Sequence, residues 1–239
     1  MKTILLLFTV ITFLLSSCSQ KTDDSAVEIL YDTATINLEK GFFSEAADDF
    51  QKVIDENPGT RFATFAYLKK ADALFASGSS KYDEAETNYR LFLSYNPNHH
   101  LTPYVLARLI DLNFKRNERW FFGTYRDHER DPLPYRKILT EYRKFSLLFP
   151  ESLYLKSSKP FMELSVEAIA DHEYIIGNWY YEHSLYSSAI ARYIFLLRNY
   201  PDFSKSQEVI SRLIETYKQN QQPRLAEELE RTYQRYYDS

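Results

Sequence analysis

Few residues in this sequence could perform chemistry, and their spacing does not favour catalysis. Cys18 is the one cysteine among 239 residues, which excludes an intramolecular disulfide and a cysteine-only zinc site. His172 and Glu173 begin like the helix of a zinc protease. That motif requires a second histidine four residues after the first, and Ile176 stands there instead. Asp171, His172 and Glu173 are therefore interpreted as a polar cluster, buried or on a helix surface.

Other catalytic patterns are missing from the sequence as well. It contains no glycine-rich phosphate loop and no serine in a nucleophile elbow. His99 and His100 have no third metal ligand at a suitable spacing, and residues 126–131 form a mixed-charge run typical of a solvated loop. The sequence therefore predicts no enzyme, no metal site and no cofactor, so its helices must serve binding rather than catalysis.

The residues that precede Cys18 indicate the role of this cysteine. Lys2 supplies a positive start, residues 4–15 are apolar except for two threonines, and Ser16 and Ser17 are small. This order is typical of a secretory signal peptide, predicted over residues 1–17. The apolar run is too short to cross a bilayer, which requires about 20 apolar residues.

The stretch Leu15-Ser16-Ser17-Cys18 resembles a bacterial lipobox. The resemblance implies cleavage before Cys18 and acylation of its thiol and of the new amino group, with residues 18–26 as a lipidated linker. Ser19 follows, not Asp, and by resemblance to lipoprotein sorting this favours the outer membrane. The alternative is an ordinary signal peptide with a cysteine present by chance.

The composition excludes nucleic acid as a partner and favours helices. Cleavage would remove Lys2 from the 29 basic residues and leave 28 against 33 acidic ones, whereas nucleic-acid binding requires a basic surface. The 5 glycines are too few for the many tight turns of an all-β fold. A mature chain of this length can bury a substantial core, as one domain or as a repeat array.

An internal repeat ends at four prolines: Pro58, Pro97, Pro150 and Pro201. Fifteen residues before each proline stand Phe43, Tyr82, Tyr135 and Tyr186. Twelve before stand Ala46, Ala85, Ile138 and Ala189. Eight before stand Phe50, Tyr89, Tyr142 and Tyr193, and five before stand Val53, Phe92, Phe145 and Leu196. These offsets place all four positions on one face of a helix, which the proline then ends.

A second apolar helix is predicted before each of these helices, except in the third copy, where none is clear. A fifth, degenerate copy without a final proline closes the chain. The pattern resembles tetratricopeptide repeats and predicts an all-α fold, a tetratricopeptide-like helix-pair solenoid of about five repeats over residues 27–239. We divide it into N-terminal repeats at 27–116, a central connection and third repeat at 117–158, and C-terminal repeats at 159–239. The proline spacings of 39, 53 and 51 predict extended segments, most of all around 117–134.

Helix arrays of this kind bind peptides or proteins on their concave surface. The first helices of the first two copies predict a groove for an extended segment that carries aromatic residues, lined by Tyr31, Thr35, Leu38, Tyr67, Lys70 and Leu74. The predicted groove lacks the paired basic residues and asparagines with which some tetratricopeptide domains clamp a terminal carboxylate.

Arg192 is the candidate for partner docking. It stands three residues after Ala189, where the other copies have Asp49, Asn88, Glu141 and Leu229. Repeat packing is therefore not expected to require an arginine here. Its stem could lie along the apolar edge with its head in solvent, or its guanidinium could pair with a carboxylate of a partner.

Several strings resemble the BamD/ComL family of outer-membrane lipoproteins, most of all "DHEYIIGNWYYEHSLYSSAIARYIFLLRNYP", together with "FFSEAADDFQKVIDENPGT" and "YDEAETNYRLFLSYNPNHH". The resemblance implies a lipid-anchored subunit of the outer-membrane β-barrel assembly machinery, facing the periplasm. It further implies that C-terminal repeats dock on a POTRA domain of a BamA-like barrel subunit, and that N-terminal repeats recognise unfolded outer-membrane β-barrel proteins. Other assembly lipoproteins would be additional partners. Ser184 departs from the family where a glycine is expected.

Two alternatives remain open at this point. The chain could be a generic tetratricopeptide lipoprotein, such as a secretion pilot or a cell-envelope scaffold. It could also be a periplasmic enzyme that carries helical repeats, but the repeats occupy nearly the whole length and leave no room for a catalytic domain.

The lipid anchor gives the first testable prediction. Labelled fatty acid should be incorporated at Cys18, and the mature protein should lack residues 1–17 because the signal peptide is cleaved. Cys18→Ala should yield a soluble periplasmic form or an uncleaved precursor, measured by fractionation and mass spectrometry. Absence of label in the wild-type protein would show that the lipoprotein interpretation is wrong.

Overall fold

A computed structural model describes residues 23–117 and 132–237 of the chain. The predicted signal peptide, Cys18 and the connection around Trp120 lie outside these residues. The described segments form ten α-helices and one short 3-10 turn. The helices are α1 (Asp23–Glu39), α2 (Phe43–Glu56), α3 (Arg61–Ser77), α4 (Tyr82–Tyr95), α5 (Thr102–Asn117), α6 (Leu133–Leu148), α7 (Leu153–Glu182), α8 (Tyr186–Asn199), α9 (Ser206–Gln219) and α10 (Pro223–Tyr237).

Helices that are consecutive in the chain pack side by side. In the first compact unit, Met1–Val105, α1 packs on α2, α2 on α3 and α3 on α4. In the second, Leu106–Ser239, the same holds from α6 through α10. The boundary falls within α5, whereas the sequence placed the end of the N-terminal repeats at residue 116. The all-α, helix-pair fold of tetratricopeptide type is confirmed.

The register of the repeat is confirmed by burial. All four residues twelve before the prolines are fully buried, and so are all four that stand five before: Ala46, Ala85, Ile138, Ala189, Val53, Phe92, Phe145 and Leu196. The aromatic residues eight before are fully buried in three copies. Tyr142 of the third copy is only half-buried. The third copy therefore packs differently at this position, beside an isoleucine where the others have an alanine.

Each repeat proline stands two residues beyond the end of its helix. The residue before it has the same backbone conformation in every copy, with φ between −134° and −141°. Its amide still donates to the carbonyl four residues earlier, as from Asn57 to Val53 at 3.2 Å. Proline excludes the helical conformation from the residue before it, so the four helices end at equivalent positions.

A left-handed residue joins the two helices of a pair in three repeats. Gly41, Ser184 and Gln221 have φ of 81°, 59° and 58°. The residue after each donates its amide to the carbonyl five residues back, at 2.9 Å in all three turns. This is the hydrogen bond that closes a helix C-terminus through a left-handed residue. Ser184 therefore adopts the conformation for which glycine is expected, at a cost of about 1–2 kcal/mol.

Helix α7 takes up the extra length of the fourth repeat. It runs for 30 residues without interruption, although Pro160 lies inside it. Much of the wide spacing between Pro150 and Pro201 is therefore helix rather than loop. The sequence predicted the longest extended segment between repeats around 117–134, and most of these residues lie outside the described ones.

Close packing in the second unit depends on Gly177. A Cβ atom at this position would lie 2.5 Å from Cε1 of Tyr193, which is closer than real Cβ contacts allow. The Tyr193 ring is fully buried in a cluster with Tyr174, Leu196 and Phe203, and its hydroxyl donates to Asn178 at 2.6 Å. The absent side chain of Gly177 thus provides the space that the ring fills.

Enlarging a buried alanine tests this packing. Ala189→Phe should lower the free energy of unfolding by about 1–3 kcal/mol, because α8 has no room for a ring at this position. The same is expected of Ala46→Phe and Ala85→Phe. Chemical denaturation of each variant gives the measurement.

Ala191→Phe provides the matched control, because Ala191 is exposed on the same helix. It should change the free energy of unfolding by no more than about 0.5 kcal/mol. Equal losses in the buried and exposed variants would contradict the assigned register.

Candidate partner-binding surfaces

The predicted groove residues of α1 are partly buried against other helices. Tyr31 packs edge-on against Phe50, with ring centroids 5.5 Å apart, and lies 5.7 Å from the ring of Phe62. Burial raises the pKa of its phenol, so Tyr31 is neutral at physiological pH. Thr35 donates its hydroxyl to the Tyr31 carbonyl at 2.9 Å, and Leu38 is half-buried. These side chains leave only their edges for a partner.

Tyr67 lies in an aromatic cleft at the start of the first unit's third helix. Its ring centroid is 5.6 Å from that of Tyr95, which is largely exposed. The two tyrosines enclose a cavity of about 140 Å³ together with Pro58, Gly59, Ala63 and Thr64. The cavity is large enough for one side chain. Burial, followed by the neighbouring Tyr95, raises the pKa of Tyr67, so the Tyr67 ring acts as a neutral apolar surface with a polar tip.

Lys70 and Leu74, which the sequence assigned to the groove, are largely covered by neighbouring helices, and their role in binding stays a prediction. Leu74 is buried and Lys70 is only 8% exposed. The Lys70 ammonium donates to Gln51 at 2.6 Å and pairs with Glu84 at 2.9 Å. Both residues border a separate cavity of about 440 Å³ between α2 and α4. The physical reason is that α3 packs against α2 on one side and against α4 on the other, so these two helices cover the side chains of Lys70 and Leu74.

The Lys70–Glu84 pair is electrostatically matched. The hydrogen bond from Lys70 lowers the pKa of Glu84, and Lys81 adds to this effect at 3.5 Å. A carboxylate with a lowered pKa stabilises the fold above its unfolded pKa, and this contribution is lost as the pH falls through the folded value. The pair is therefore intact at neutral pH and serves to hold α4 on α3.

Arg192 has a carboxylate partner within its own chain. Its Nη1 atom donates to Oε2 of Glu173 at 2.8 Å. Arg136 approaches the other oxygen of the same carboxylate at 3.5 Å. The Glu173 side chain is 5% exposed, whereas the Arg192 and Arg136 side chains are 41% and 49% exposed. Two guanidinium groups therefore share one buried carboxylate and leave a net positive charge at the surface.

The ion pair with Glu173 gives Arg192 a part in packing that the sequence did not predict. A buried carboxylate without a counter-charge is strongly unfavourable, and Glu173 on α7 needs cations from α6 and α8. The docking role of Arg192 itself stays a prediction.

Further polar contacts hold α9 against α7. Tyr174 donates to Glu208 at 2.6 Å and Tyr181 to Glu215 at 2.7 Å, each from a ring on α7 to a carboxylate on α9. Lys205 pairs with Asp171. The polar cluster of residues 171–173 is thus structural: the carboxylates of Asp171 and Glu173 are buried and paired, as one of the two sequence interpretations predicted.

Metal binding and membrane spanning find no support among residues 23–117 and 132–237. No group of three or more histidine, cysteine, aspartate or glutamate side chains there is arranged to hold a metal ion. In the same residues, no helix is both long enough and apolar enough to cross a bilayer.

Three features of these surfaces were not predicted from the sequence: Arg136, the pairing of Glu173 with two arginines, and Tyr95. Arg136 follows the repeat aromatic Tyr135 and had no distinguishing signal. Tyr95 stands two residues before Pro97 and is exposed, whereas Asn199 takes the same place before Pro201. None of the other copies has an aromatic residue at this place, which was a signal that could have indicated the cleft.

Comparison with known proteins gives one family and several relatives. The model of the YfiO family, described as outer membrane lipoprotein, matches residues 23–232. A protein of Caulobacter vibrioides is 24% identical over 82% of this chain, one of Xylella fastidiosa 27% over 82%, and one of Vibrio cholerae 24% over 92%. All three are named outer membrane protein assembly factor BamD.

The aligned region spans 61% of the Caulobacter protein, 67% of the Xylella protein and 92% of the Vibrio protein. The family match spans nearly every residue of the helical repeats described above, including α1 and most of α10. The chain therefore belongs to the YfiO family of outer membrane lipoproteins.

Proposed function

We propose that this chain is a non-enzymatic, lipid-anchored scaffold subunit of the outer-membrane β-barrel assembly machinery. It is held on the periplasmic face of the outer membrane through Cys18. Its C-terminal repeats bind a POTRA domain of a BamA-like barrel subunit, and its N-terminal repeats bind unfolded barrel proteins. Other assembly lipoproteins are further partners.

The family match over residues 23–232 is the observation that carries this proposal. It is supported by relatives from three proteobacterial genera that are named as outer membrane protein assembly factors. The helical repeats are a further support, since helix-pair arrays generally present extended surfaces to protein partners.

The proposed substrate surface is centred on Tyr67 and Tyr95. A small apolar cleft walled by two tyrosines suits an aromatic side chain of an extended chain, because offset and edge-on ring pairs contribute about 0.5–1.5 kcal/mol beyond burial. Tyr31, Thr35 and Leu38 would contribute their exposed edges. Lys70 and Leu74 would act indirectly, by positioning α3.

The proposed docking surface for the barrel subunit is centred on Arg192 and Arg136. Each guanidinium is nearly half exposed while it contacts Glu173. The planar head of an arginine offers five donors, so the contact to Glu173 leaves others for an acidic residue of a partner. Glu173 also holds the heads in place, which lowers the entropy cost of binding.

A mild-detergent purification of the native protein tests the proposal as a whole. We expect an outer-membrane barrel subunit with POTRA domains to co-purify, identified by mass spectrometry. Co-purification with a secretion channel or with cell-wall proteins instead would favour a secretion pilot or a generic envelope scaffold and would overturn the assembly role.

Arg192→Lys tests the docking surface. Lysine keeps the positive charge beside Glu173, so the thermal midpoint should stay within a few degrees of wild type. It lacks the planar fork, so retention of the barrel subunit should fall by about tenfold. The measurement is quantitative co-purification in moderate salt. Arg192→Glu is a poor test, because a second carboxylate beside buried Glu173 should itself destabilise the fold by about 1–3 kcal/mol.

Arg198→Lys is the matched control, since Arg198 is exposed on the same helix. It should retain the barrel subunit at the wild-type level. Glu173→Gln separates packing from docking: it should lower the thermal midpoint but weaken retention of the partner less than Arg192→Lys does, because Arg192 is released rather than removed. Wild-type retention by Arg192→Lys would refute a docking role for this residue.

A photo-crosslinking residue at Tyr67 or Tyr95 tests the substrate surface. Unfolded barrel precursors should be captured from both positions, because the two rings border one exposed cleft. The measurement is immunoblotting of cross-linked products in cells that secrete barrel precursors.

Ala76 is the control position, because it is exposed on the opposite side of α3 from Tyr67. A crosslinker there should capture little precursor. A crosslinker at buried Leu74 should yield none. Capture from Ala76 alone would place the substrate elsewhere and contradict the proposed cleft.

A further inference from the structure

Four large apolar side chains project into solvent at the turn between α6 and α7. Leu147 and Leu153 are each 77% exposed, Leu148 is 56% exposed and Tyr154 is 45% exposed. They flank the turn formed by residues 149–152. Single exposed leucines are common on protein surfaces, but a group of four within eight residues marks an interaction site. We name these four residues the leucine tip.

A tier of basic residues lies behind the leucine tip. Arg143 stands one helical turn before Leu147, Lys144 one turn before Leu148, and Lys156 one turn after Leu153. All three basic residues are exposed, and none forms an ion pair within the described ranges. The spacing of one turn is about 5 Å along a helix. Apolar side chains therefore project beyond a basic tier on both helices.

The acidic residues near the leucine tip are few. Glu151 lies in the turn and is the one carboxylate between residues 143 and 159. Lys159, on the following turn of α7, pairs with Glu163 at 3.0 Å, and both side chains are largely exposed. Arg143, Lys144 and Lys156 thus leave the tip with a net positive charge.

We propose that the leucine tip inserts into the surface of an anionic lipid bilayer. Apolar side chains that project about one helical turn beyond a basic tier match the order of a membrane surface, where acyl chains lie beneath anionic headgroups. A hydrophobic groove on a protein would receive the leucines equally well but would not require basic residues behind each of them. Tyr154 adds a ring with a polar tip, which suits the interface.

This contact is separate from the proposed acyl anchor at Cys18, and its test uses mature protein that carries Cys18→Ala. The protein is sedimented with vesicles of phosphatidylethanolamine and phosphatidylglycerol, and with vesicles of phosphatidylcholine alone. We expect binding to the anionic vesicles that weakens as salt is added. Leu147→Ser combined with Leu153→Ser should lower the partition coefficient of the protein between vesicles and solution by about tenfold or more. Each substitution removes the apolar contact of one leucine with the lipid.

Leu133→Ser is the matched control, because Leu133 is 62% exposed at the other end of α6. It should leave vesicle binding unchanged. Gln in place of Arg143, Lys144 and Lys156 should abolish the preference for anionic vesicles. Thermal midpoints of all variants should match that of the parent, because the changed residues are exposed.

Absence of binding by the parent protein, or an equal loss in Leu133→Ser, would overturn the proposal. So would loss of a co-purified protein partner from the tip variant while its vesicle binding stays at the parent level. Failure of the assembly role would instead appear in the mild-detergent purification and would leave the vesicle result unchanged.

Discussion

A buried aromatic ring beside a small residue is the contact on which the helix pairs of three repeats depend. Phe50, Tyr89 and Tyr193 are fully buried on the helices that carry Ala46, Ala85 and Ala189. The small residue lets two helices approach, and the ring fills the remaining space. Loss of such a ring costs about 3–5 kcal/mol, which is a large part of the stability of a single domain. Because these three copies use the same contact, it positions their helices and the surfaces that those helices carry.

Buried charge adds specificity in the second unit. Glu173, Asp171 and the tyrosine–carboxylate bonds fix α7 against α6, α8 and α9 through directional contacts. Such contacts contribute little net stability, because desolvation offsets much of the attraction. Their value lies in orientation: two arginine heads are held at the surface in defined positions. A surface that binds a partner by geometry requires this kind of rigidity.

The fold followed from the sequence because a repeated pattern averages out local ambiguity. Four copies of one spacing before a proline, aromatic, then alanine in three copies and isoleucine in one, then aromatic, identified the helices and their buried faces. Ser184 stands where the family resemblance implies a glycine, but the sequence alone does not reveal that this serine adopts a left-handed conformation. The length of α7 was hidden too, because a proline inside a helix resembles a helix end.

The candidate surfaces were less predictable, since they depend on which face of a helix its neighbours cover. Lys70 and Tyr67 stand three residues apart on one helix, yet one is buried in an ion pair and the other borders an open cleft. Arg192 differs from its counterparts in the other copies, which singled it out as a candidate. Its partner Glu173 lies 19 residues earlier, and only the packing of α7 on α8 reveals the pair.

The uninterrupted length of α7 has a mechanical consequence. The helix begins with Leu153 at the leucine tip and carries Glu173 on its sixth turn, so the two lie about 30 Å apart along one rod. The length of α7 therefore sets the distance between the leucine tip and Glu173. If its first turn rests at a bilayer surface, the arginine pair stands at a fixed height above the lipid, and a shorter or longer α7 would offer the same charges to a different depth of the periplasm.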